Sequence, residues 1–207
     1  MTNPTQQLSG LLLSVLGWVG SIITCALPSW RLSTVVGTNM MVSQSFSEGL
    51  FQICTDGEAG RSHCKPYDSL LEISPALQVG RALVVTSIFT GLFGFIVGLT
   101  TFRSSRFVAD AIIRNRNTVI AGVIFLVASI MLLIPVATSA NNSISDFHNP
   151  MVPEHLKREV GPAVYVGLFS FAFLLIGGSV LCSAGLSRDK DNERERKGCS
   201  YPMKDYV

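Results

Sequence analysis

The chain has 207 residues, of which 48% are hydrophobic and 14% are charged, whereas about 25% of the residues in a typical soluble domain are charged. Its formal net charge of +2 argues against a nucleic-acid-binding protein, which presents a strongly basic surface. Every Asp, Glu, Lys and Arg lies outside four long apolar stretches, so the composition is that of a membrane protein rather than an ordinary soluble domain.

The four apolar stretches are the predicted membrane spans, residues 8–27, 82–102, 119–137 and 163–181. Crossing about 30 Å of hydrocarbon takes roughly 20 helical residues, and a chain this short has no shell in which to bury four such helices. Because residues 1–7 contain no Lys or Arg and the first stretch exceeds the apolar core of a signal peptide, about 7–15 residues, it predicts an uncleaved span. The predicted fold class is a membrane α-helical protein, built on a left-handed four-helix bundle.

Arginines and lysines between the spans predict the orientation of the chain. The segment 103–118 and the tail after the last span are rich in them. Since Lys and Arg are enriched in short cytosolic segments, both regions face the cytosol, and so does the N-terminus. Residues 28–81 and 138–162 then lie outside the cell. The chain divides into one domain, 1–186, and a cytosolic tail, 187–207, whose mixed charges predict disorder.

The first outside segment predicts a small extracellular antiparallel sheet followed by one short helix. Apolar and polar residues alternate from Trp30 to Val36, which is typical of a half-exposed strand. Turn-rich sequence separates three further predicted strands, at residues 40–46, 50–54 and 64–67. Residues 68–77 predict the short helix, which Asp68 or Ser69 could cap.

Small residues recur four positions apart in the spans. Gly10 and Ser14 form one such pair in the first span, and Gly17 and Ser21 form a second. Such pairs let helix backbones approach closely in lipid and predict a tight bundle without a central pore. The alternative is the general enrichment of glycine in membrane helices.

Cysteine positions predict a bridge rather than a reactive site. Cys54 and Cys64 are the two cysteines of the outside segments, where the redox environment permits a disulfide. Two free thiols or metal ligands are the alternatives, but the histidines are not spaced as a metal-ligand pair. The sequence contains no catalytic motif, and no charge lies inside a span, where ion pathways usually place one. We therefore expect no enzyme, no cofactor and no metal site.

The most specific motif lies in the first outside segment and runs Trp30, Gly49-Leu50-Phe51, Cys54 and Cys64. Together with the four-span frame and Arg81 at the start of the second span, this pattern resembles the claudin family. Claudins have Trp in the place of Phe51, so this chain keeps the large aromatic ring but loses the indole donor. Further segments look most like claudins three and four, among them residues 65–71, 146–153 and 204–207.

The resemblance implies a structural and adhesion protein of tight junctions at the plasma membrane, which polymerises into strands and forms a charge-selective paracellular barrier or pore. It would assemble with itself and with other claudins. Leu70 would insert into a pocket formed by Phe147 and His148 of a neighbour in the same membrane, and contacts across cells would involve Phe147, Asn149 and Pro150. Lys65 would face the paracellular passage, whereas Asp56 and Glu58 are adhesive or solvated.

On the cytosolic side the resemblance implies a scaffold-binding terminus. Asp205, Tyr206 and Val207 end the chain with a free carboxylate, which a PDZ domain binds by adding the terminus as a strand to its sheet. Cys182 is a candidate for palmitoylation, with a buried thiol as the alternative. The remaining implied partners are the lipid bilayer and, through claudins three and four, a bacterial enterotoxin, with no nucleic acid. The rival interpretation is a superfamily relative that acts as an epithelial membrane protein or a channel auxiliary subunit.

Overall fold

The computed structural model describes residues 4–36, 43–56, 62–67, 75–103, 111–148 and 158–198. Its helices are α1 (Pro4–Ala26), α2 (Pro75–Arg103), α3 (Ala111–His148) and α4 (Pro162–Gly198). Its strands are β1 (Arg31–Val36), β2 (Ser43–Glu48), β3 (Gln52–Asp56), β4 (Ser62–Pro66) and β5 (Arg158–Val160). Within the described residues, four segments are long and apolar enough to cross a membrane, Thr5–Ala26, Pro75–Thr101, Asn115–Ser145 and Pro162–Ser187, which confirms the four predicted spans.

Three of the helices begin at a proline. Pro4, Pro75 and Pro162 are the first residues of α1, α2 and α4, a position where the missing N–H removes no intrahelical hydrogen bond and the fixed φ favours the helix. The helices also continue beyond the apolar stretches, because the turns next to a span add to a helix that is already nucleated.

The extension of α4 corrects the prediction of a disordered tail from residue 187. The structure is helical to Gly198. Arg, Lys and Glu dominate residues 188–197, and they rank close to Ala in helix propensity. A segment with these residues therefore continues the helix without needing apolar contacts. Residues 199–207 lie outside the described part of the chain.

Helices α1 and α4 pack backbone against backbone along their whole shared length. A Cβ atom on Gly177 would lie 2.6 Å from the backbone nitrogen of Ser14, and one on Gly17 would lie 2.7 Å from that of Leu174. The facing positions run antiparallel, and they pair Gly10 with Leu181, Ser14 with Gly177, Gly17 with Leu174 and Thr24 with Gly167. Of the predicted small-residue pairs of the first span, Gly10, Ser14 and Gly17 lie on this face, so they serve helix packing.

Helix α1 contacts α2 through large side chains that pack against glycines of α2. A Cβ on Gly91 would lie 2.5 Å from Cδ1 of Trp18, and one on Gly98 would lie 2.8 Å from Cδ1 of Leu11. The indole Nε1 of Trp18 donates a hydrogen bond to the carbonyl oxygen of Ile88 at 3.0 Å. Because the seven-residue spacings on the two helices match, each glycine receives one side chain of α1.

Helix α3 completes the bundle between α2 and α4. Its side chains Phe125, Leu132 and Val136 are fully buried in the core. The Ser87 hydroxyl of α2 donates to the carbonyl oxygen of Ala128 at 2.8 Å, which satisfies a buried polar group inside the apolar layer. The centre of the bundle is thus filled by side chains. Its left-handedness stays a prediction.

The five strands form one antiparallel sheet at the end of the bundle, in the order β4-β3-β2-β1-β5. The sequence predicts four of them, with boundaries shifted by up to three residues for β2. Strand β5 comes from the segment before α4 and pairs with β1, Arg31 opposite Val160. The predicted short helix falls on residues 68–74, which lie outside the described residues, and Pro75–Leu77 belong to α2.

Replacing Gly177 by alanine tests the α1–α4 contact. Overpacking a tight interface costs about 1–3 kcal/mol, so the Gly177→Ala protein should unfold at a lower temperature in detergent. Gly80→Ala is the matched control, because the nearest atom to its Cβ would be Cβ of Pro135 at 3.5 Å, and alanine gains about 1 kcal/mol in helix propensity. Equal unfolding temperatures for the two variants, followed by circular dichroism, would contradict this packing.

Candidate functional site

The junction between the sheet and the bundle is formed by the motif residues that the sequence analysis singles out. Trp30 precedes β1, and its side chain is fully buried. Its indole Nε1 donates a hydrogen bond of 3.0 Å to the carbonyl oxygen of Thr24, in the last turn of α1. Since the final carbonyls of a helix have no intrahelical partner, the indole caps α1 from the sheet side.

The backbone of Trp30 joins two further elements. Its N–H donates to the carbonyl oxygen of Glu48 in β2 at 2.9 Å, and its carbonyl oxygen accepts from the N–H of Gly161 at 3.2 Å. One residue therefore connects the end of α1, the middle of the sheet and the segment that leads into α4.

Gly49 is required by the close approach of two backbones. A Cβ at this position would lie 2.6 Å from the Cα atom of Pro28, a distance that only glycine accommodates without movement of the main chain. The Ser47 hydroxyl donates to the carbonyl oxygen of Pro28 at 2.6 Å, and the Gly49 N–H donates to the carbonyl oxygen of Gln52 at 2.9 Å. These bonds hold β2 and the turn that follows it against the connection from α1.

Arg81 ties the turn after β2 to α2. Its Nε and Nη2 atoms both donate to the carbonyl oxygen of Leu50, with the Nε contact at 2.8 Å. The guanidinium lies 4.6 Å from the centre of the Phe51 ring and 5.9 Å from the centre of the Tyr67 ring. Leu50 is 1% exposed, whereas Phe51 is 45% exposed, so neighbouring residues point to opposite sides of the junction.

The bridge between Cys54 and Cys64 is present in the structure. The two residues are direct cross-strand partners in β3 and β4, ten residues apart in sequence. Closing a loop of this size stabilises a folded domain by roughly 2–3 kcal/mol in the chain-entropy model. The bridge keeps the outer strand β4 on the sheet.

The remaining predicted site residues are not brought together by the described structure. Lys65 is exposed on β4, opposite Ile53, and Asp56 ends β3. Phe147 and His148 are the last residues of α3, with side chains outside the described part. Glu58, Leu70, Asn149, Pro150 and the terminal Asp205, Tyr206 and Val207 also lie outside the described residues. Their roles stay predictions.

The Cys182 side chain faces the neighbouring helix. Its sulfur donates to the carbonyl oxygen of Val119 at 3.8 Å, and a Cβ on Gly122 would lie 2.7 Å from that sulfur. This packing between α3 and α4 favours the buried-thiol alternative. Palmitoylation of Cys182 stays a prediction.

Sequence reasoning missed Gly161 and Ser47 at the junction. A Cβ on Gly161 would lie 2.0 Å from the carbonyl oxygen of Ser29, and the N–H of Ala163 donates to the same oxygen at 3.1 Å. The Gly-Pro dipeptide before the fourth span is a signal for such a close approach. Ser47 carried no comparable signal, because a serine in a strand is common on an exposed face.

Comparisons with known proteins agree with this arrangement. A family model described as the PMP-22/EMP/MP20/Claudin family matches residues 5–181. Human Claudin-3 is 40% identical over an alignment of 215 residues that covers 97% of this chain and 98% of the relative. Claudin-3 from Canis lupus familiaris is 42% identical over 89% of this chain and 84% of the relative. Claudin-4 from Bos taurus is 40% identical over 88% of this chain and 87% of the relative. The resemblance found in the sequence is confirmed: the chain belongs to the claudin family.

Proposed function

We propose that this protein is a structural and adhesion component of tight junctions, which polymerises into strands and forms a charge-selective paracellular barrier. The observation that carries the proposal is the junction itself. Trp30, Gly49 and Arg81 fix a folded sheet to a four-span bundle, so the sheet is presented in one orientation to whatever lies beyond the membrane. The same feature supports the proposal of a structural role.

The orientation of the chain supports this role. The excess of Lys and Arg in residues 103–118 and in the tail directs them to the cytosol, and the sheet then lies outside the cell. In that orientation, sheets of neighbouring molecules meet within one membrane and across two membranes, with itself and with other claudins as partners. Binding of a bacterial enterotoxin rests on the similarity to Claudin-3 and Claudin-4.

Lateral assembly is proposed to use Leu70, with Phe147 and His148 of the next molecule as its pocket. The end of α3 that carries Phe147 and His148 lies near the sheet, because α3 also contacts β5. An apolar knob in such a pocket is the kind of anchor that dominates binding energy.

Strand formation tests the proposal in cells that lack tight-junction strands. The wild-type chain should form strands visible by freeze-fracture electron microscopy, and Leu70→Glu should abolish them, because a charge cannot enter an apolar pocket without a large desolvation cost. Leu70→Met is the control and should retain strands. Normal strands in the Leu70→Glu protein would refute this assembly contact. A wild-type chain that reaches the surface without forming strands would favour the rival role as an epithelial membrane protein or channel auxiliary subunit.

Charge selectivity is proposed to depend on Lys65. This residue is exposed on β4 next to the bridged Cys64, so its charge is held on the sheet surface. A fixed cation acts over about 8–10 Å at physiological ionic strength, which is enough to disfavour sodium in a narrow passage between sheets. Asp56 and Glu58 are proposed as adhesive or solvated positions.

Dilution potentials across cell layers measure this effect. Lys65→Asp should raise the permeability of sodium relative to chloride by roughly two- to fivefold, since reversing one charge changes the local potential by about 1 kcal/mol per unit charge at this range. Lys65→Arg keeps the charge and should leave the permeability ratio unchanged. An unaltered ratio in the Lys65→Asp layer would count against Lys65 as a residue of the passage.

The C-terminus is proposed to bind the PDZ domains of junction scaffold proteins. Helix α4 carries the chain to Gly198, and nine residues follow it. Asp205, Tyr206 and Val207 supply the free carboxylate and the apolar terminal side chain that such domains recognise.

Calorimetry of the last ten residues against a scaffold PDZ domain tests the terminus. The free-acid peptide should bind, and a peptide amidated at Val207 should bind at least about tenfold more weakly, because hydrogen bonds to a charged group are the strong ones. A peptide lacking Val207 should show a similar loss. Equal affinities of the free-acid and amidated peptides would show that the carboxylate is not the recognised group.

A further inference from the structure

Arg81 is the one charged residue within the membrane-spanning segment Pro75–Thr101. A guanidinium at the edge of an apolar span is costly unless its charge and its N–H groups meet suitable partners. The partner identified above is the carbonyl oxygen of Leu50, which is neutral. The positive charge of the guanidinium therefore still needs an anionic partner.

The described residues do not supply that anion. Nε and one N–H of Nη2 donate to Leu50, and a guanidinium has five N–H donors. Among the residues that the structure describes, no carboxylate forms an ion pair with Arg81, and Nη1 has no protein acceptor. Three donors of the fork are available on the side away from Leu50.

Two aromatic rings line the guanidinium. Phe51, at 4.6 Å, and Tyr67, at 5.9 Å, hold it through cation–π contacts and restrict the direction in which the remaining donors point. Phe51 is 45% exposed, and Arg81 itself is only partly buried. The site is therefore open on one side, at the level where a bilayer surrounds the helices.

The height of the site matches the phosphate layer of a membrane. Arg81 immediately precedes the charge-free stretch 82–102, and it binds the turn between β2 and β3 of the sheet. The boundary between hydrocarbon and head groups falls at such a transition.

We infer that Arg81 binds the phosphate of a phospholipid head group in the leaflet on the sheet side, with Phe51 and Tyr67 as the walls of the site. The planar fork of arginine matches two phosphate oxygens, and the phosphate supplies the negative charge that the described protein residues do not. The acyl chains would lie along the exposed apolar side chains of α2, such as Phe89 and Phe93. The site would couple the sheet to the membrane surface through the same side chain that joins it to α2.

Native mass spectrometry of the full chain in detergent, titrated with phosphatidylglycerol, tests the inference. Arg81→Gln keeps an amide donor for Leu50 but removes the charge, and it should bind the lipid about tenfold more weakly than the wild type. Phe51→Leu keeps an apolar side chain but removes the ring face, and it should weaken binding by roughly two- to fivefold. Arg103→Gln, at the opposite end of α2, is the control and should match the wild type.

Two further titrations distinguish the contribution of the phosphate from that of the acyl chains. Diacylglycerol lacks the phosphate and should not distinguish the wild type from Arg81→Gln. Glycerophosphate lacks the acyl chains and should bind far more weakly than the lipid, and equal binding would overturn the lipid as the source of the phosphate. Each variant is first checked for the Cys54–Cys64 bridge by intact mass.

Two results would overturn the site. One is equal lipid affinity of the wild type and a folded Arg81→Gln protein, and the other is an equal loss in Arg103→Gln, which would indicate general attraction to charge. If Arg81→Gln does not fold, the lipid affinity of Phe51→Leu is the deciding measurement. An affinity equal to that of the wild type would then overturn the inference.

Discussion

The connection between α1 and β1, residues 27–30, is the segment on which the rest of the structure depends. Three of its backbone polar groups bind other elements of the fold. The Pro28 carbonyl accepts from the Ser47 hydroxyl, the Ser29 carbonyl accepts from the N–H of Ala163, and the N–H of Trp30 donates to β2. Buried backbone groups must be paired, and these pairs join the loop to β2 and to the start of α4. The sheet is therefore held by hydrogen bonds to one short loop, and the apolar contact of the Trp30 ring excludes water from them.

Helix α1 serves two neighbours by two different kinds of packing. Toward α4 it presents small residues, and the gain comes from close contact between backbones in lipid. Toward α2 it presents Trp18 and Leu11, and the glycines on the partner accommodate them. On the face of α1 toward α4 a larger side chain would therefore disrupt the packing, whereas on the face toward α2 a smaller one would. A count of glycines in the spans does not reveal which kind of packing a helix face makes.

Much of the fold follows from the sequence because the strongest signals are local. The four charge-free stretches predict the spans, and the position of Cys54 and Cys64 outside them permits the bridge. Strand β5 was not predicted, because three residues carry too little pattern to indicate a strand and its pairing with β1 is set by tertiary contact. The helical extension of α4 was missed for a related reason: mixed charge predicts disorder for a free segment, but this segment continues an existing helix.

The site could be predicted in part. Trp30, Gly49, Leu50, Phe51 and Arg81 were singled out by resemblance, and the structure adds the physical reason for each position. The role of Gly161 could not be predicted from the sequence, because it depends on the tertiary contact between Gly161 and the Ser29 carbonyl. The residues proposed for assembly act between molecules, so the structure of one chain does not reveal their contacts.

The attachment of β5 to β1 has a mechanical consequence. The sheet is continuous with the end of α1 through Trp30 and with the start of α4 through Gly161. A force that pulls the sheet away from the membrane therefore draws both helices in the same direction, and Arg81 transmits it to α2 as well. Because α1 and α4 move together, their backbone interface experiences little shear. The resistance falls instead on the contacts that these helices make with α3, and on the bilayer around them.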